Sequence, residues 1–554
     1  MQWDVIILGS GAAGLTAALR AAKAGAKTLV LEKADYYGGT TAISGGGIWI
    51  PGSPQAVAQG ASDSIARARE YALAAVGEDA PVPLIDAYLE NGPAMVTWLE
   101  AHSEVTFLLS PPSSDWYPDL PGAAFEHRLL SPREYDGKRL GAGFAELRPA
   151  REEFNAPGGF MIDLFDLPYL ANMGAPRSIL HFARLGARFA LDKLRGYKRG
   201  TRLTMGNALA AALLKSAIDA GVTLRRNVTV TGLLREAGRI TGVSLAGGEQ
   251  LHASLGVLLA TGGFSANPQL RKAYIPYAEQ HVSLLPYENT GDGMNLAFDN
   301  GAAAAPKNPV NAVWAVVSTN KRADGSLARY AHLMDMSKPG CIAVNAKGER
   351  FGNEASVHFV EAMHSAGAVP AYIIADALTV KKYGLGLVYP GSPNLKKLIR
   401  AGYVTEAASL AELAGKIGVD PAGLSRTAAT MNDYAATGTD PEFGKGDTLI
   451  DREIGDPGHA PNPCLGRIAT APFYAVKILP GDGSTTVGLP IDSACRVLDA
   501  AGVPLLGLYA AGLDANSIWR GRSPAHGCNV GPAMVLGFIA ANAILQAGEH
   551  RAPI

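Results

Sequence analysis

The sequence predicts an α/β protein that begins with a Rossmann-like nucleotide-binding unit. Two observations predict it: a strand, glycine loop, helix and second strand within the first 32 residues, and several glycine-rich segments that follow apolar runs later in the chain. The composition is globular, because 48% of the 554 residues are hydrophobic and only 18% are charged. The 49 basic residues are balanced by 50 acidic ones, which gives no reason to expect a nucleic-acid partner.

The first element is a short apolar run at 5–8, rich in β-branched side chains, as in a buried parallel strand. The sequence GSGAAG follows at 9–14 and opens an alanine-rich helix that continues to about residue 24. A second strand at 28–31 ends at Glu32. This order is the dinucleotide-binding pattern, in which the helix N-terminus faces a pyrophosphate.

Each glycine and acidic residue of this pattern has a physical task. Gly9 makes the tight turn, Gly11 lets the backbone approach the pyrophosphate, and Gly14 lets the helix pack closely on the strand. Glu32 lies where a carboxylate accepts hydrogen bonds from ribose hydroxyls. We therefore expect a bound dinucleotide at the start of the first helix.

Four further glycine segments follow, at 38–47, 258–264, 290–294 and 508–512. With them the chain resembles, over nearly its whole length, the fumarate reductase/succinate dehydrogenase flavoprotein superfamily. The resemblance implies FAD as the cofactor. The covalent-flavin branch has a His in the first of these loops, and 38–47 contains none, so we expect non-covalent FAD.

The pattern and the resemblance together predict a set of cofactor-binding residues. These are Gly9, Gly11, Ala13, Gly14, Glu32, Gly39, Thr40, Ser44, Gly46, Gly47, Thr261, Gly262, Gly263, Asp292, Gly512, Gly531, Ala533 and Met534. We expect no metal site, because no two of the four cysteines have a metal-ligand spacing. We also expect the positive end of a helix starting near Pro532 to stabilise the reduced flavin.

The resemblance implies a Rossmann-like FAD-binding domain with an inserted α+β domain that caps the substrate. We expect the first part of the FAD domain at 1–285, the inserted catalytic domain at 286–487 and the return to the FAD domain at 488–554. Within the first part, 224–230 and 240–245 are expected to form a strand pair. A helical stretch at 409–435 begins with SLAE, the form of a capping box.

Three places distinguish the branches of this superfamily. Fumarate reductases have a proton-delivering Arg five residues after the Asn that matches Asn353, and 3-ketosteroid 1-dehydrogenases have a catalytic Tyr there. This chain has His358, which is still a competent acid or base near neutral pH. At the second place, fumarate reductases have a substrate-binding His after a Pro-Gly pair, whereas Asp482 follows Gly481 here.

The third place is the C-terminal segment 519–534, which resembles the last motif of the 3-ketosteroid 1-dehydrogenases. In that family a Tyr hydroxyl and a Gly N–H hold the substrate carbonyl together. Gly527 matches the Gly, but Ser523 stands at the Tyr position. The second donor is therefore open, with His526 and Arg522 as alternatives.

Two further substrate contacts are predicted. The loop around Trp116 and Tyr117 resembles a loop of the same branch that supplies an active-site Tyr, so Tyr117 is a candidate for proton transfer and Trp116 for the pocket wall. Arg520 and Arg522 are candidates for holding a substrate carboxylate, or else they line the FAD phosphates or the surface. The predicted catalytic residues are therefore His358, Tyr117, Gly527, Ser523 and His526.

The resemblance implies FAD-dependent α,β-dehydrogenation of a cyclic ketone. The substrate is a small cyclic ketone, such as cyclohexanone or 4-oxocyclohexanecarboxylate, or a 3-ketosteroid. The alternatives are a fumarate-reductase-like enoate reductase and a non-catalytic electron-transfer flavoprotein. Since no second dinucleotide fingerprint is present, we expect a quinone, a carrier protein or oxygen to accept the electrons rather than NAD.

The expected location is the cytoplasm, because four cysteines in so long a chain do not form a disulfide framework. The sequence contains no uninterrupted run of 18 apolar residues, so we expect no membrane-spanning helix. Residues 178–202 carry seven Lys and Arg residues against one acid, with apolar residues at helical spacing. This segment is either a solvated helix packed on its own protein or a peripheral contact with an anionic membrane.

Overall fold

The computed structural model describes residues 2–156, 159–171, 174–304, 307–322 and 324–549. The chain divides into two compact units, each assembled from separated segments. The first unit consists of Met1–Leu270, Pro286–Asn311 and Thr485–Ile554, and the second of Arg271–Leu285 and Ala312–Ser484. The assignment of these units to cofactor and substrate binding stays a proposal.

The first unit is built around an eight-stranded, mostly parallel sheet, which confirms the predicted α/β class. Its main strands, in order across the sheet, are Arg496–Leu498, Pro504–Ala510, Gln250–Leu259, Gln2–Leu8 (β1), Thr28–Leu31 (β2) and Thr223–Arg225. β1 is central and pairs in parallel with β2 and with Gln250–Leu259. The carboxyl ends of these strands therefore lie at one edge, where nucleotides bind in such sheets.

The predicted strand–helix–strand start is confirmed. β1 leads through the glycine loop into the helix Ala12–Lys23 (α1), and β2 ends one residue before Glu32. Both strands are almost fully buried, because helices cover both faces of a parallel sheet.

The predicted strand pair at 224–230 and 240–245 is wrong in its first member. The hairpin joins Val230–Glu236 to Arg239–Leu245. Thr223–Arg225 instead extends the parallel sheet beside β2. The two-residue turn at 237–238 closes the hairpin, with Ala237 and Gly238 both at positive φ.

Other helices of the first unit pack around this sheet, and two small sheets accompany them. The helices are Pro54–Ala58, Ile65–Val76, Val82–His102, Leu167–Ala171, Pro176–Leu194, Met205–Asp219, Asp292–Phe298 and Val530–Glu549. The small sheets contain Ile48–Trp49, Phe107–Leu109 and Leu129–Pro132, and Tyr135–Asp136 with Arg202–Leu203. The helix Pro268–Tyr274 spans the point where the chain passes from the first unit to the second.

The C-terminal helix is a core helix of the first unit. Its segment Val530–Gly548 is long and apolar enough to cross a membrane, but 61% of that window is buried inside the protein. It packs on α1, and a Cβ at Gly537 would lie 2.4 Å from the carbonyl oxygen of Ala13. Glycine at this position therefore permits the close approach of the two helices.

The second unit contains a seven-stranded sheet. Its strands are Val282–Ser283, Ala312–Lys321, Leu327–Ala331, Cys341–Val344, Ala371–Asp376, Val404–Ala407 and Phe473–Thr485. Its helices are Phe359–Ser365, Ala377–Tyr383, Leu395–Arg400, Leu410–Ile417, Pro421–Thr437 and Leu449–Ile454. The predicted helix start is confirmed, because the Ser409 side chain caps Leu410–Ile417 by accepting from the N–H of Glu412. The Glu412 carboxylate accepts from the N–H of Ala408 rather than from that of Ser409, so the capping box is incomplete.

All four cysteines are buried and none forms a disulfide bond. Cys341 and Cys464 lie in the second unit, and Cys495 and Cys528 lie in the first. Burial raises the pKa of every one of these thiols, in Cys464 to about 11. Among the described residues, no group of His, Cys, Asp and Glu is arranged to hold a metal ion.

Candidate active site

A cleft of about 900 Å³, including its open solvent, lies in the first unit beside the N-terminus of α1. Many of the predicted cofactor residues line it: Gly9, Gly11, Ala13, Glu32, Gly39, Thr40, Thr261, Gly262, Asp292, Gly512 and Ala533. The others do not line this cleft: Gly14, Ser44, Gly46, Gly47, Gly263, Gly531 and Met534. A cleft at the carboxyl edge of a parallel sheet, beside a helix N-terminus, is a typical nucleotide site.

The three glycines of the first loop have different surroundings. A Cβ at Gly9, where φ is +102°, would lie 2.1 Å from the carbonyl oxygen of Ala260, and one at Gly14 would lie 2.0 Å from that of Gly9. At Gly11 the nearest atom, the Thr41 Oγ1, is 3.7 Å away. Gly9 and Gly14 are therefore required by the fold, whereas Gly11 leaves open the space that a pyrophosphate needs.

The carboxylate of Glu32 is held by the protein and still has acceptor capacity. Its Oε2 accepts hydrogen bonds from the N–H of Ser10 (3.0 Å) and from the Ser10 hydroxyl (2.6 Å), and its Oε1 accepts one from Ala34 (2.9 Å). A carboxylate oxygen accepts about two hydrogen bonds, so Oε1 keeps one site for a ribose hydroxyl. These residues fit an FAD adenosine half.

The residues of the 38–47 loop that lie outside the cleft shape the loop itself. The Ser44 hydroxyl donates to the carbonyl of Thr41 (2.8 Å) and accepts from the N–H of Gly46 (3.1 Å). Gly46 has a φ of +71°, and a Cβ there would lie 2.4 Å from the backbone nitrogen of Gly206. The loop therefore lies directly on the helix Met205–Asp219.

Sequence reasoning missed Asp514, which organises the second glycine loop of the cleft. Its buried carboxylate accepts hydrogen bonds from the N–H and hydroxyl of Thr261 and from the N–H of Gly263. Burial raises the pKa of Asp514 to about 6 despite these donors. The sequence marks Asp514 only by its position, because it is an acidic residue two positions after Gly512 of a predicted glycine segment.

Two cations at the cleft were also missed. The Lys33 ammonium donates to the carboxylate of the predicted cofactor residue Asp292 (2.8 Å). The Arg148 guanidinium lies 3.3 Å from the Glu288 carboxylate. No motif in the sequence marks Arg148, because it lies in an irregular segment between helices.

The two predicted substrate segments of the first unit, around Trp116 and around Gly527, meet in the structure. The N–H of Trp116 donates to the carbonyl of Pro524 (2.8 Å). The Trp116 ring packs edge to face on His526, with ring centroids 5.2 Å apart. Five of the predicted residues are thus brought together by these two loops: Trp116, Tyr117, Ser523, His526 and Gly527.

A buried tyrosine links the same loops. The hydroxyl of Tyr71 donates to the carbonyl of Pro524 (2.5 Å) and accepts from the N–H of Tyr117 (3.2 Å). Burial raises the pKa of Tyr71 well above 10, so the hydroxyl keeps its proton. Behind it, the indole of Trp49 packs on Tyr71 and donates to Asp115 (2.9 Å).

Gly527 has the properties of a backbone donor. Its φ is +84°, and a Cβ there would lie 2.7 Å from the backbone of Trp49. Its carbonyl accepts from the N–H of Gly531 (3.0 Å), and its own N–H has no acceptor within the described part of the chain. A fixed and unused N–H is what stabilisation of a developing enolate oxygen requires.

The residues that flank Gly527 differ in exposure. Ser523 is buried. The His526 side chain is exposed, yet the protein atoms around it lower its pKa to about 4 by desolvation, so the imidazole is neutral at working pH. Arg522 is exposed, and Arg520 is half-buried with an Nε that has no partner among the described residues.

His358 lies in the second unit, immediately before the helix Phe359–Ser365. Its Nδ1 is 3.2 Å from the carboxylate of Glu361, and 37% of its side chain is exposed. Asp482, at the second discriminating place, is fully buried and bonds to Arg271 (2.9 Å) and Ser283 (2.6 Å). Asp482 is therefore a structural carboxylate of this unit.

Comparison with known proteins identifies the relatives of this chain. Residues 4–530 match the FAD binding domain family. The chain is 34% identical to 4-oxocyclohex-2-ene-1-carboxylate 5-dehydrogenase of Sinomonas cyclohexanicum, over 99% of this chain and 94% of the relative. It is 34% identical to 3-oxosteroid 1-dehydrogenase of Mycolicibacterium smegmatis, over 98% and 96%. The crystal structure of 3-ketosteroid delta1-dehydrogenase from Sterolibacterium denitrificans, in complex with 1,4-androstadiene-3,17-dione, superposes with a TM-score of 0.91 at 36% identity, covering 99% and 100%.

Proposed function

This chain belongs to the FAD binding domain family as an FAD-dependent dehydrogenase of cyclic ketones, and we propose that its Trp116 and Gly527 loops hold the ketone during the reaction. The observation that carries the proposal is the meeting of these loops through Trp116, Pro524 and Tyr71. They are more than 400 residues apart in sequence.

The cofactor half of the proposal uses the cleft beside α1. FAD, when bound, supplies a flavin N5 that accepts a hydride from the carbon β to the carbonyl. The chain supplies the pyrophosphate site at Gly11, the ribose acceptor at Glu32 and the loop that Asp514 fixes. We propose that FAD is bound non-covalently, because the 38–47 loop contains no His.

The chain's own residues polarise the ketone and move the proton. Desaturation breaks two C–H bonds: the α-proton leaves to a base and the β-hydrogen leaves with its electron pair. The N–H of Gly527 donates to the carbonyl oxygen, which acidifies the α-proton. His526, neutral at working pH, is the second donor in place of the Tyr that Ser523 replaces.

His358 and Tyr117 are our candidates for the proton transfer. A positioned imidazole serves as a general base in many enzymes, and the carboxylate of Glu361, 3.2 Å from Nδ1, orients the His358 ring. The two electrons leave to a quinone, a carrier protein or oxygen, because the chain has no second dinucleotide fingerprint. We place this reaction in a reducing compartment, the cytoplasm, since all four cysteines are free thiols.

We propose a small cyclic ketone with a carboxylate ahead of a 3-ketosteroid. Arg520 has an Nε without a partner among the described residues, and a guanidinium holds a carboxylate well. The replacement of a Tyr by Ser523 also departs from the steroid pattern. A fumarate-reductase-like enoate reductase is the alternative, and His358 and Asp482 both stand against it.

The test is anaerobic reduction of the purified flavoprotein. Cyclohexanone, 4-oxocyclohexanecarboxylate and a 4-ene-3-ketosteroid are added separately, and the flavin absorbance is followed. We expect bleaching, fastest with 4-oxocyclohexanecarboxylate. Absence of bleaching by all three, with reoxidation of the reduced enzyme by fumarate, would establish the reductase instead.

A further inference from the structure

We propose that the outer face of the helix Pro176–Leu194 docks on an anionic lipid bilayer surface. This inference concerns the location of the enzyme and is independent of which ketone it oxidises. It rests on the exposure of apolar side chains along one face of this helix and on the cations beside them.

Part of the exposed surface of this helix is a row of apolar side chains, where an ordinary surface helix has polar ones. Leu180 is 71% exposed, Leu191 50% and Leu194 84%. The spacing places them on one side, with the exposed Ala183 and Ala187 between them. We call Leu180, Ala183, Ala187, Leu191 and Leu194 the apolar stripe.

The opposite face already attaches the helix to its own unit. Leu185 and Phe189 are half-buried there, and the His181 Nε2 lies 2.8 Å from the Asp166 carboxylate. Asp192 is buried and accepts hydrogen bonds from the N–H and hydroxyl of Thr201. The apolar stripe is therefore not needed to hold the helix in place, and a contiguous exposed apolar patch indicates a binding surface.

The charges beside the stripe are positive. Arg177, Arg184 and Arg195 are exposed, and none of them has an ion pair among the described residues. Other cations of the segment are already used, since Arg188 and Arg202 both bond to Glu134 (2.6 and 2.5 Å). The only acid between 177 and 202 is the buried Asp192.

This combination selects an anionic membrane as the occupant. Apolar side chains enter the boundary between headgroups and acyl chains, while Arg side chains remain at the anionic headgroups. A second copy of the chain fits less well, because two such faces would bring their unpaired arginines together without an acid to neutralise them.

The experiment is sedimentation of the FAD-loaded enzyme with vesicles of phosphatidylcholine, with and without phosphatidylserine. We expect binding only to the anionic vesicles, weakened by salt. Leu180→Asp with Leu194→Asp should lower the partition coefficient at least about tenfold. Arg184→Gln and Arg195→Gln should each lower it about fivefold.

The matched control is Val503→Asp with Leu506→Asp, because these side chains of the same unit are 55% and 58% exposed. We expect the control to bind like the wild type, and all variants to keep flavin absorbance and ketone oxidation. Failure of the wild type to bind anionic vesicles would overturn the proposal. The proposal would also be overturned if the double leucine variant bound anionic vesicles like the wild type. It would be overturned too if the wild type were a dimer that this variant dissociates, because the stripe would then be an interface between two copies.

Discussion

The hydroxyl of Tyr71 bonds to the carbonyl oxygen of Pro524 at 2.5 Å, although 453 residues separate the two in sequence. The hydroxyl oxygen of Tyr71 also accepts a hydrogen bond from the N–H of Tyr117 (3.2 Å), so one hydroxyl joins both loops that we assign to the substrate. Tyr71 itself lies behind the loops and is fully buried. It is a positioning residue rather than one that contacts the ketone.

Tyr71→Phe keeps the ring and removes this link. We expect kcat/KM for the ketone to fall about tenfold, because the two loops lose their common hydrogen bond, and the flavin content to stay unchanged. The free energy of unfolding should fall by about 1 kcal/mol, the net contribution of one hydrogen bond, since the carbonyl of Pro524 still accepts from the N–H of Trp116. Tyr135→Phe, which removes a hydroxyl bonded to Glu104 instead, is the control and should retain kcat/KM.

Gly11→Val should abolish FAD binding without preventing folding. The nearest protein atom to a Cβ at Gly11 is 3.7 Å away, so the added side chain occupies only the space for the pyrophosphate. Gly14→Val should fail to fold, since its Cβ would lie 2.0 Å from a backbone oxygen. Absorbance at the flavin bands and circular dichroism distinguish the two results, and yellow Gly11→Val protein with full flavin occupancy would contradict the assignment.

His358→Ala should slow flavin reduction by at least about tenfold, the lower end of what a positioned acid or base contributes. Stopped-flow reduction with a saturating ketone measures this step directly. His252→Ala, at an exposed position of the strand Gln250–Leu259, should reduce its flavin at the wild-type rate. A near-normal rate in the His358 variant would remove this residue from the mechanism and leave Tyr117.

His526→Ala should lower the rate of flavin reduction about 100-fold, as for other lost carbonyl donors. Because the pKa of His526 is lowered to about 4, its imidazole is neutral throughout pH 5–9. His526→Gln should therefore recover part of the rate and keep the wild-type pH profile of kcat/KM. If the variant lost an inflection near pH 7, a protonated His526 would instead be the active form.

Asp514→Asn tests the buried carboxylate through the pH dependence of stability. The pKa of Asp514 is raised to about 6 in the folded protein, above its ordinary value of 3.8. Its neutral form therefore favours folding, and this contribution is lost as the pH rises from 4 through 6. Urea unfolding should show the variant gaining about 2 kcal/mol relative to the wild type between pH 4 and pH 7. A pH-independent difference would show that the donors of Thr261 and Gly263 keep Asp514 ionised.

The first 32 residues illustrate what a sequence can predict. Strand, loop, helix and acid are consecutive there, so local patterns fix their arrangement, and β1, α1 and β2 are confirmed. The hairpin begins at Val230, later than predicted, because the short segment Thr223–Arg225 forms a separate strand. Only its long-range pairing with β2 shows that it belongs to the parallel sheet.

The sequence predicts the motifs of the candidate site but not the residues outside these motifs that contact them. Gly527 and Trp116 follow from resemblance to a known family, and the structure brings their loops together. Tyr71 and Arg148 carry no motif, and their contacts depend on segments distant in sequence. The catalytic roles of His358, Ser523 and Tyr117 stay predictions.

The distribution of the cysteines provides an internal probe of the enzyme's motions. Each unit holds two thiols, and all four are shielded from solvent and protonated at neutral pH. An alkylating reagent therefore reacts only when the surrounding unit opens. The cysteines that are alkylated first would identify the unit that opens more readily. If FAD or a ketone slows the alkylation of one pair of cysteines, that ligand stabilises the unit that contains the pair.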